Sequence, residues 1–448
     1  MHGLCMSEAL RAAARTIFAQ AMAAVDVRAA VRREIAAADD VLTLAGRSVP
    51  LDAVDRVLIV ALGKAAVAMY EAAASELSGL ECRAVVVAPA ETLPVGAAAP
   101  VEPVVFLPGA HPTPTADSFV AAELVLRLLE LVDERTVVLF LVSGGASAMM
   151  ERPLDPAITL ADVAGFHRAL VGSGLPIAEM NALRKHMSAV KGGRLAVAAS
   201  AAAMQCTLLV SDVPAALPDA IASGPSLPDT TTVAQARELF KKLDRLADVP
   251  EDVRAFFLAE ELPETPKAGD ATFARAHWKV ILSSEHLAES ARIAAEEAGF
   301  RAVIDNTCDE WEYREAGRNL LDTSGALAQE HARSCLISVG EVGVTLPPKP
   351  GEGGRNGQLA LWCGVEMAAR GMDAVVLSAG SDGVDGQSDT AGAVCDATTV
   401  SRALRRGFNA ERALLLCDSG PLLRAVGDAI VTGPSGNNLR DLRLVMTG

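Results

Sequence analysis

Between Gly351 and Gly386 the chain reads GEGGRNGQLALWCGVEMAARGMDAVVLSAGSDGVDG, and no other stretch limits the fold as much. A glycine loop carrying Arg355 and Asn356 runs into a helical pattern from Gln358 to about Arg370. An apolar strand at 374–378 follows and ends in a second glycine loop holding Asp382 and Asp385. A helix that feeds a fully buried strand is the unit of α/β layers. A cation in one loop and two carboxylates in the other is what a site for an anionic substrate plus a metal–nucleotide needs. The plainer alternative is a pair of tight turns in which Asp, Asn and Gly only satisfy turn geometry.

The same alternation runs through the rest of the chain. In RVLIVALGKAAVAMYEAAASEL a buried strand at 57–61 meets a Gly63–Lys64 turn and then a helix from about Ala65, the opening of a doubly wound sheet. Short strands are predicted at 83–87 and 104–107, and an apolar strand at 137–142 ends in SGGASAMM. Helical patterns cover 160–171 and 176–187, and the strand TLLVSDV terminates in Asp212. The second half restarts with strands at 278–282 and 302–304 and helices at 285–298 and 312–332. A strand at 335–339 then leads to Glu341, and the chain closes with strands at 429–432 and 442–445.

At 448 residues the chain exceeds a comfortable single core, so two domains are expected. The charged, Pro-containing segment 246–276 is the expected junction. The predicted architecture is therefore α/β, with a Rossmann-like N-terminal domain over 1–245 on a mostly parallel sheet and a C-terminal α/β domain over 246–448. The Ala-rich start is interrupted by Arg11 and Arg15 and reads as an amphipathic helix capped by Ser7 rather than a signal core.

Hydrophobic content of 51% with only 4% aromatics suits layers packed from small aliphatics. A formal charge of −16 argues against nucleic acid or an anionic membrane as partner. The eight cysteines are scattered without a CxxC pair, which fits a reduced, cytoplasmic setting. The longest uncharged run, 195–211, is short for a membrane span.

The standard nucleotide fingerprints are absent. A P-loop would need glycine where Leu58 stands and Ser or Thr where Ala65 stands, and no GxGxxG opens a helix. Ser143, Gly144 and Gly145 form a candidate phosphate cradle after an apolar strand. Lys64, at the end of another strand, is a candidate anion contact. Asn181 and Lys185 stand four residues apart and share a helix face, so both are candidates to point into a cleft. His111 and His186 lack partners at metal-ligand spacing and read as loop or core histidines. Asp212 closes a strand, where carboxylates of open α/β sheets often meet a ligand or Mg2+.

Several ordered strings carry a resemblance. They are GKA at 63–65, HPTP at 111–114, SGGASA at 143–148, MNALRKHMSAVKGGRLA at 180–196 and SDVPAALPDAIASGPSLPD at 211–229. In the second half they are GGRNGQLAL at 353–361, SAGSDGVDGQSDTAGAVCD at 378–396 and VTGPSGNNLRDLRL at 431–444. On these motifs nearly the whole chain resembles the glycerate 2-kinase family, the class II type with a C-terminal MOFRL domain. The resemblance implies ATP-dependent phosphorylation of D-glycerate to 2-phosphoglycerate, with the active site in the cleft between two α/β domains. Lys64 matches the family's active-site lysine, and Arg355 matches the arginine facing it from the C-terminal domain. Two departures stand out: SGGAS replaces the commoner SGGGS, and Cys417 stands where relatives often carry Asn.

Phosphoryl transfer needs positioning and charge neutralisation more than covalent chemistry. Lys64 and Arg355 are therefore expected to neutralise the glycerate carboxylate and the migrating phosphoryl group. Asp212, Asp382 and Asp385 are candidates to hold Mg2+ or to orient the accepting hydroxyl, and Glu341 and Asn356 are supporting polar contacts. The competing readings are a hydroxypyruvate reductase using NAD(P)H, which the missing fingerprint disfavours, and a non-catalytic metabolite-binding protein. Monomer and homodimer both remain open from sequence.

Overall fold

The computed structural model describes residues 2–95, 103–213 and 217–448. They form two compact units, Val27–Ile281 and Leu282–Gly448, the second joined by the N-terminal segment up to Asp26. The expected junction at 245/246 thus lies inside the first unit. The helix Glu251–Leu258 is part of that unit's core because Val253, Phe256 and Phe257 pack with Phe166 and Phe240, and the Phe240 and Phe257 rings stack at 4.6 Å. The charge and prolines that suggested a linker lie on the solvent side of this packing and in the turns.

The first helix, His2–Ala24, belongs to the second unit. Ser7 lies within this helix rather than at its cap, and its hydroxyl donates to Asp396. Arg11 pairs with Asp428, and Arg15 donates to the Ala429 carbonyl at 3.1 Å. No helix among the described residues is long and apolar enough to cross a membrane.

The first unit opens with an antiparallel meander that the sequence reading did not anticipate: β1 (Ile35–Ala38), β2 (Val41–Leu44) and β3 (Arg47–Pro50). Six strands then build its main sheet: β4 (Arg56–Leu62), β5 (Cys82–Ala88), β6 (Val104–Pro108), β7 (Thr136–Ser143), β8 (Met204–Val210) and β9 (Ala276–Leu282). Their spatial order is β6-β5-β4-β7-β8-β9, and β6 through β8 are parallel throughout. Every residue of β7 and β8 is buried, as expected where helices cover both faces of a parallel sheet. The chain winds outward from β4 through β5 to β6 on one side, and from β7 to β8 on the other. The switch point falls between β4 and β7, and open α/β sheets bind ligands beyond the carboxyl ends of strands at such a point.

The second unit carries β10 (Arg301–Ile304), β11 (Ser334–Gly340), β12 (Val375–Gly380), β13 (Gly392–Asp396), β14 (Ala429–Ile430) and β15 (Asp441–Thr447). Their order is β10-β11-β15-β12-β13-β14, and only the β10–β11 pair is parallel. Strands β11, β12, β13 and β15 are buried along their whole length, so their apolar runs read like parallel strands although their pairing is antiparallel. The glycine-loop helix runs Arg355–Arg370, three residues earlier than expected, and buries Leu359 to Cys363.

Candidate active site

In the first unit the candidates gather at the switch point. Gly63 follows β4 with φ +110°, and a β-carbon there would lie 2.5 Å from Ser143 Oγ and 2.8 Å from the Gly144 carbonyl. Only glycine permits this approach. It lets the Lys64 N–H donate to the Gly144 carbonyl at 2.9 Å and the Ala65 N–H donate to Ser143 Oγ at 3.0 Å. The ends of β4 and β7 are thereby locked together, with Lys64 on one and Gly144–Gly145 on the other. Asp212, just past β8, fills the space beside Gly144, while Lys64 Cγ and His111 Cδ2 lie 3.4 and 3.5 Å from the position of a Gly145 β-carbon. The structure thus brings Lys64, Ser143, Gly144, Gly145 and Asp212 into one cluster.

Sequence reasoning missed two members of this cluster. His111 is an exposed ring above the glycine turn, held there because Gly109 packs directly against Met149. Burial of part of the ring, and then the charges of Lys64 and Arg184, depress its pKa, so the imidazole is neutral at physiological pH. Arg184 is the other. Its Nη1 donates to Asn181 Oδ1 at 3.2 Å, and its Nε has no hydrogen-bond partner among the described residues. Burial lowers its pKa, partly offset by Glu151.

Lys185 is not available as an anion contact. It is buried, and its ammonium bonds Asp219 at 2.6 Å and Asp229 at 2.9 Å. Asn181 instead pairs with Arg184, one residue earlier in the helix. Asn181 Oδ1 also accepts from Ser223 Oγ, which sits 2.9 Å from Ser147 Oγ. Behind this layer Lys191 is buried in an ion pair with Glu151, which also accepts from Ser188. Burial alone would raise the Glu151 carboxyl, but Lys191 and His167 outweigh it and hold the pKa at about 2. Lys64, by contrast, has no carboxylate at ion-pair distance among the described residues.

The short helix after the cradle, Ala146–Met149, is a single turn, so its dipole adds little for a phosphate. The Ala146 methyl, the departure from SGGGS, is buried within the apolar core and does not intrude on the cradle.

In the second unit Arg355 is the first residue of its helix. Its Nε bonds Asp441 Oδ2 at 2.5 Å, and its Nη2 reaches Asp441 Oδ1 at 3.1 Å and Glu341 Oε1 at 2.9 Å. Burial opposes the charge, but these carboxylates outweigh it and raise the pKa. Arg355 is thus paired with two carboxylates of its own unit. Asp385 is not an open metal ligand. Its Oδ1 accepts from the Asn356 N–H at 2.9 Å and its Oδ2 from the Gly357 N–H at 2.7 Å, so it caps the helix. Asn356 in turn accepts from Ser378 Oγ at 2.6 Å. Burial raises the Asp385 pKa to about 6 despite those donors.

A cavity of about 460 Å3 opens beside this helix start, walled by Val342, Val344 and Leu346 on one side and by Gly353, Gly354 and Asp382 on the other. Cys417 also lines it and holds φ +51°, a left-handed conformation that Asn tolerates better than Cys. Asp382 and Asp385 line this cavity together, whereas Asp212 belongs to the other unit. Among the described residues no three His, Cys, Asp or Glu side chains are grouped to hold a metal ion.

Residues 13–258 match a domain family of unknown function, DUF4147, and residues 334–441 match the MOFRL family. A glycerate 2-kinase of Pyrococcus horikoshii is 31% identical over 94% of this chain and 94% of its own length. A D-glycerate 2-kinase of Thermotoga maritima is 34% identical over 87% of this chain and 90% of its own. A protein of Agrobacterium vitis bearing the name of a hydroxypyruvate reductase is 33% identical over 88% of this chain and 87% of its own. The crystal structure of a glycerate kinase from Thermotoga maritima superposes with a TM-score of 0.83 at 31% identity, covering 98% of this chain and all of that one. With DUF4147 and MOFRL segments in this order and relatives of this similarity along most of its length, the chain belongs to the glycerate 2-kinase family.

Proposed function

We propose that the chain is a glycerate kinase that transfers the γ-phosphoryl group of ATP to the 2-hydroxyl of D-glycerate, yielding 2-phosphoglycerate and ADP. The observation that carries the reading is the Lys64 ammonium at the switch point of the parallel sheet, without an ion-pair partner among the described residues, where Lys185 and Lys191 are both committed to carboxylates. Names borne by the relatives supply the substrate.

In this reading Lys64 and Arg184 neutralise the anionic oxygens of glycerate and of the moving phosphoryl group, in a reaction that depends on positioning and charge. Asn181 acts by orienting Arg184. Mg2+ usually arrives on nucleotide phosphates and takes only one or two protein carboxylates. Asp212 and Asp382 are the candidates, Asp385 being committed to its helix cap. When bound, the ion would neutralise phosphate charge. The cavity beside Gly353–Gly354 in the second unit has a volume typical of small-molecule sites. At Arg355 an incoming anion would compete with Glu341, whose side chain is 37% exposed, rather than with Asp441 at 2%.

Turnover of D-glycerate with ATP and Mg2+, with the 2- and 3-phosphates separated, tests the proposal. Absence of phosphorylated glycerate would overturn it. The reductase reading needs a nicotinamide site, and an assay of NADH oxidation by hydroxypyruvate separates the two.

A further inference from the structure

The proposed reaction leaves one atom unassigned, the proton on the accepting hydroxyl. Asp212 is one group near the cradle that could take it, but carboxylates as a class are weak bases toward an alcohol. A neutral imidazole is, as a class, a better one. Most described histidines are committed elsewhere. His186 bonds the Ala182 carbonyl and Glu264, His277 bonds the Leu44 carbonyl, His286 bonds Ser283, and His167 is buried against Glu151. His111 is different: it is exposed and stands over Gly145 beside Lys64.

We propose that His111 is a catalytic residue whose imidazole accepts the proton of the 2-hydroxyl as that oxygen attacks the γ-phosphorus of a nucleoside triphosphate. The inference rests on the kinase reading above. The O–H bond breaks, and its electron pair forms the new O–P bond. The bond from γ-phosphorus to the bridging oxygen breaks, and that pair leaves on the nucleoside diphosphate. The proton stays on a ring nitrogen as imidazolium until solvent removes it. The charged groups facing the ring are Lys64 from the turn after β4 and Arg184 from the helix Ile177–Met187, with Asp212 beyond Gly144. Partial burial of the ring, and then the two cations, keep it neutral before the reaction and favour release of the proton after it. The Gly109–Met149 contact fixes the loop that presents the ring.

The test is the pH dependence of kcat and kcat/KM for D-glycerate in the full-length wild type, H111Q and H111N, with folding checked by circular dichroism and thermal midpoint. Loss of general base catalysis predicts a kcat lower by roughly 10²-fold or more, an acid limb that disappears, and a KM for the nucleotide that holds. Because the ring is exposed, the midpoint should not move, and H111N provides a second variant should H111Q misfold. A wild-type-like acid limb with kcat within a few-fold in either folded variant overturns the proposal. So does an acid limb abolished by D212N but not by H111Q. If the wild type itself fails to phosphorylate glycerate, the kinase reading falls and this inference with it; an active wild type with an indifferent H111Q sinks the inference alone.

Discussion

The carboxylate of Asp212 occupies the space that a β-carbon on Gly144 would fill. The glycine is therefore required by what stands next to it, since its φ is not in the left-handed region. Gly144→Ala should leave the backbone in place and push the Asp212 carboxylate off the cradle. Misplacement on the ångström scale predicts a loss of roughly 10²-fold in kcat/KM. Steady-state kinetics beside a thermal melt would check it, and unchanged activity in a folded variant would separate Asp212 from the chemistry.

The buried Lys191–Glu151 pair underlies the cation layer of the site. Glu151→Gln removes the charge that compensates Lys191 and should cost about 3–5 kcal/mol. Replacing both, as E151Q/K191M, should recover much of that loss because no unpaired charge stays behind. Denaturant midpoints of the two single variants and the double variant form the cycle. Additive losses would show that the two charges do not depend on each other.

Asp385 gives the second unit a pH signature. Its pKa rises from 3.8 to about 6 on folding, so its stabilising contribution is complete below about pH 4 and disappears as pH rises through 6. Wild type should therefore gain stability relative to Asp385→Asn as pH falls from 7 to 4, by about 1–3 kcal/mol. Glu151, held at about 2, works in the opposite sense, losing its contribution as pH falls below its unfolded value of 4.5. Only the difference between wild type and D385N isolates Asp385. A flat difference across this range would mean the cap is ionised at no cost.

Cys417 sits at φ +51° on the wall of the 460 Å3 cavity. A left-handed L-residue costs roughly 1–2 kcal/mol, less for Asn. Cys417→Asn should raise the urea midpoint by the equivalent of several tenths of a kcal/mol up to about 1 kcal/mol. A lowered midpoint would show that the thiol's packing outweighs the backbone term.

The first unit was readable where physics leaves a local trace. Strands β4, β7 and β8 are unbroken apolar runs because helices cover both faces, and Gly63–Lys64 marks the turn between strand and helix. Contacts made across long separations left no such trace. Lys185 shares a face with Asn181 by helical spacing, but its charge is drawn to Asp219 and Asp229 more than thirty residues later. Asp385 looked like a metal ligand because its role as a helix cap involves Asn356 and Gly357, nearly thirty residues earlier. The place of β15 between β11 and β12 is set by antiparallel pairing that a fully buried strand does not advertise. The meander β1–β3 did carry a signal, short strands around Asp39–Asp40 and Ala45–Gly46 turns, but each strand has only four residues.

The central claim is that Lys64, at the switch point of the parallel sheet, serves phosphoryl transfer to glycerate. Phosphorus NMR of products formed from D-glycerate, ATP and Mg2+ by wild type and Lys64→Ala addresses it directly. The account predicts 2-phosphoglycerate from the wild type, formed roughly 10²–10³-fold more slowly by the folded variant, the scale of losing one preorganised charge contact. Equal rates from the two proteins, or 3-phosphoglycerate as the product, would contradict it.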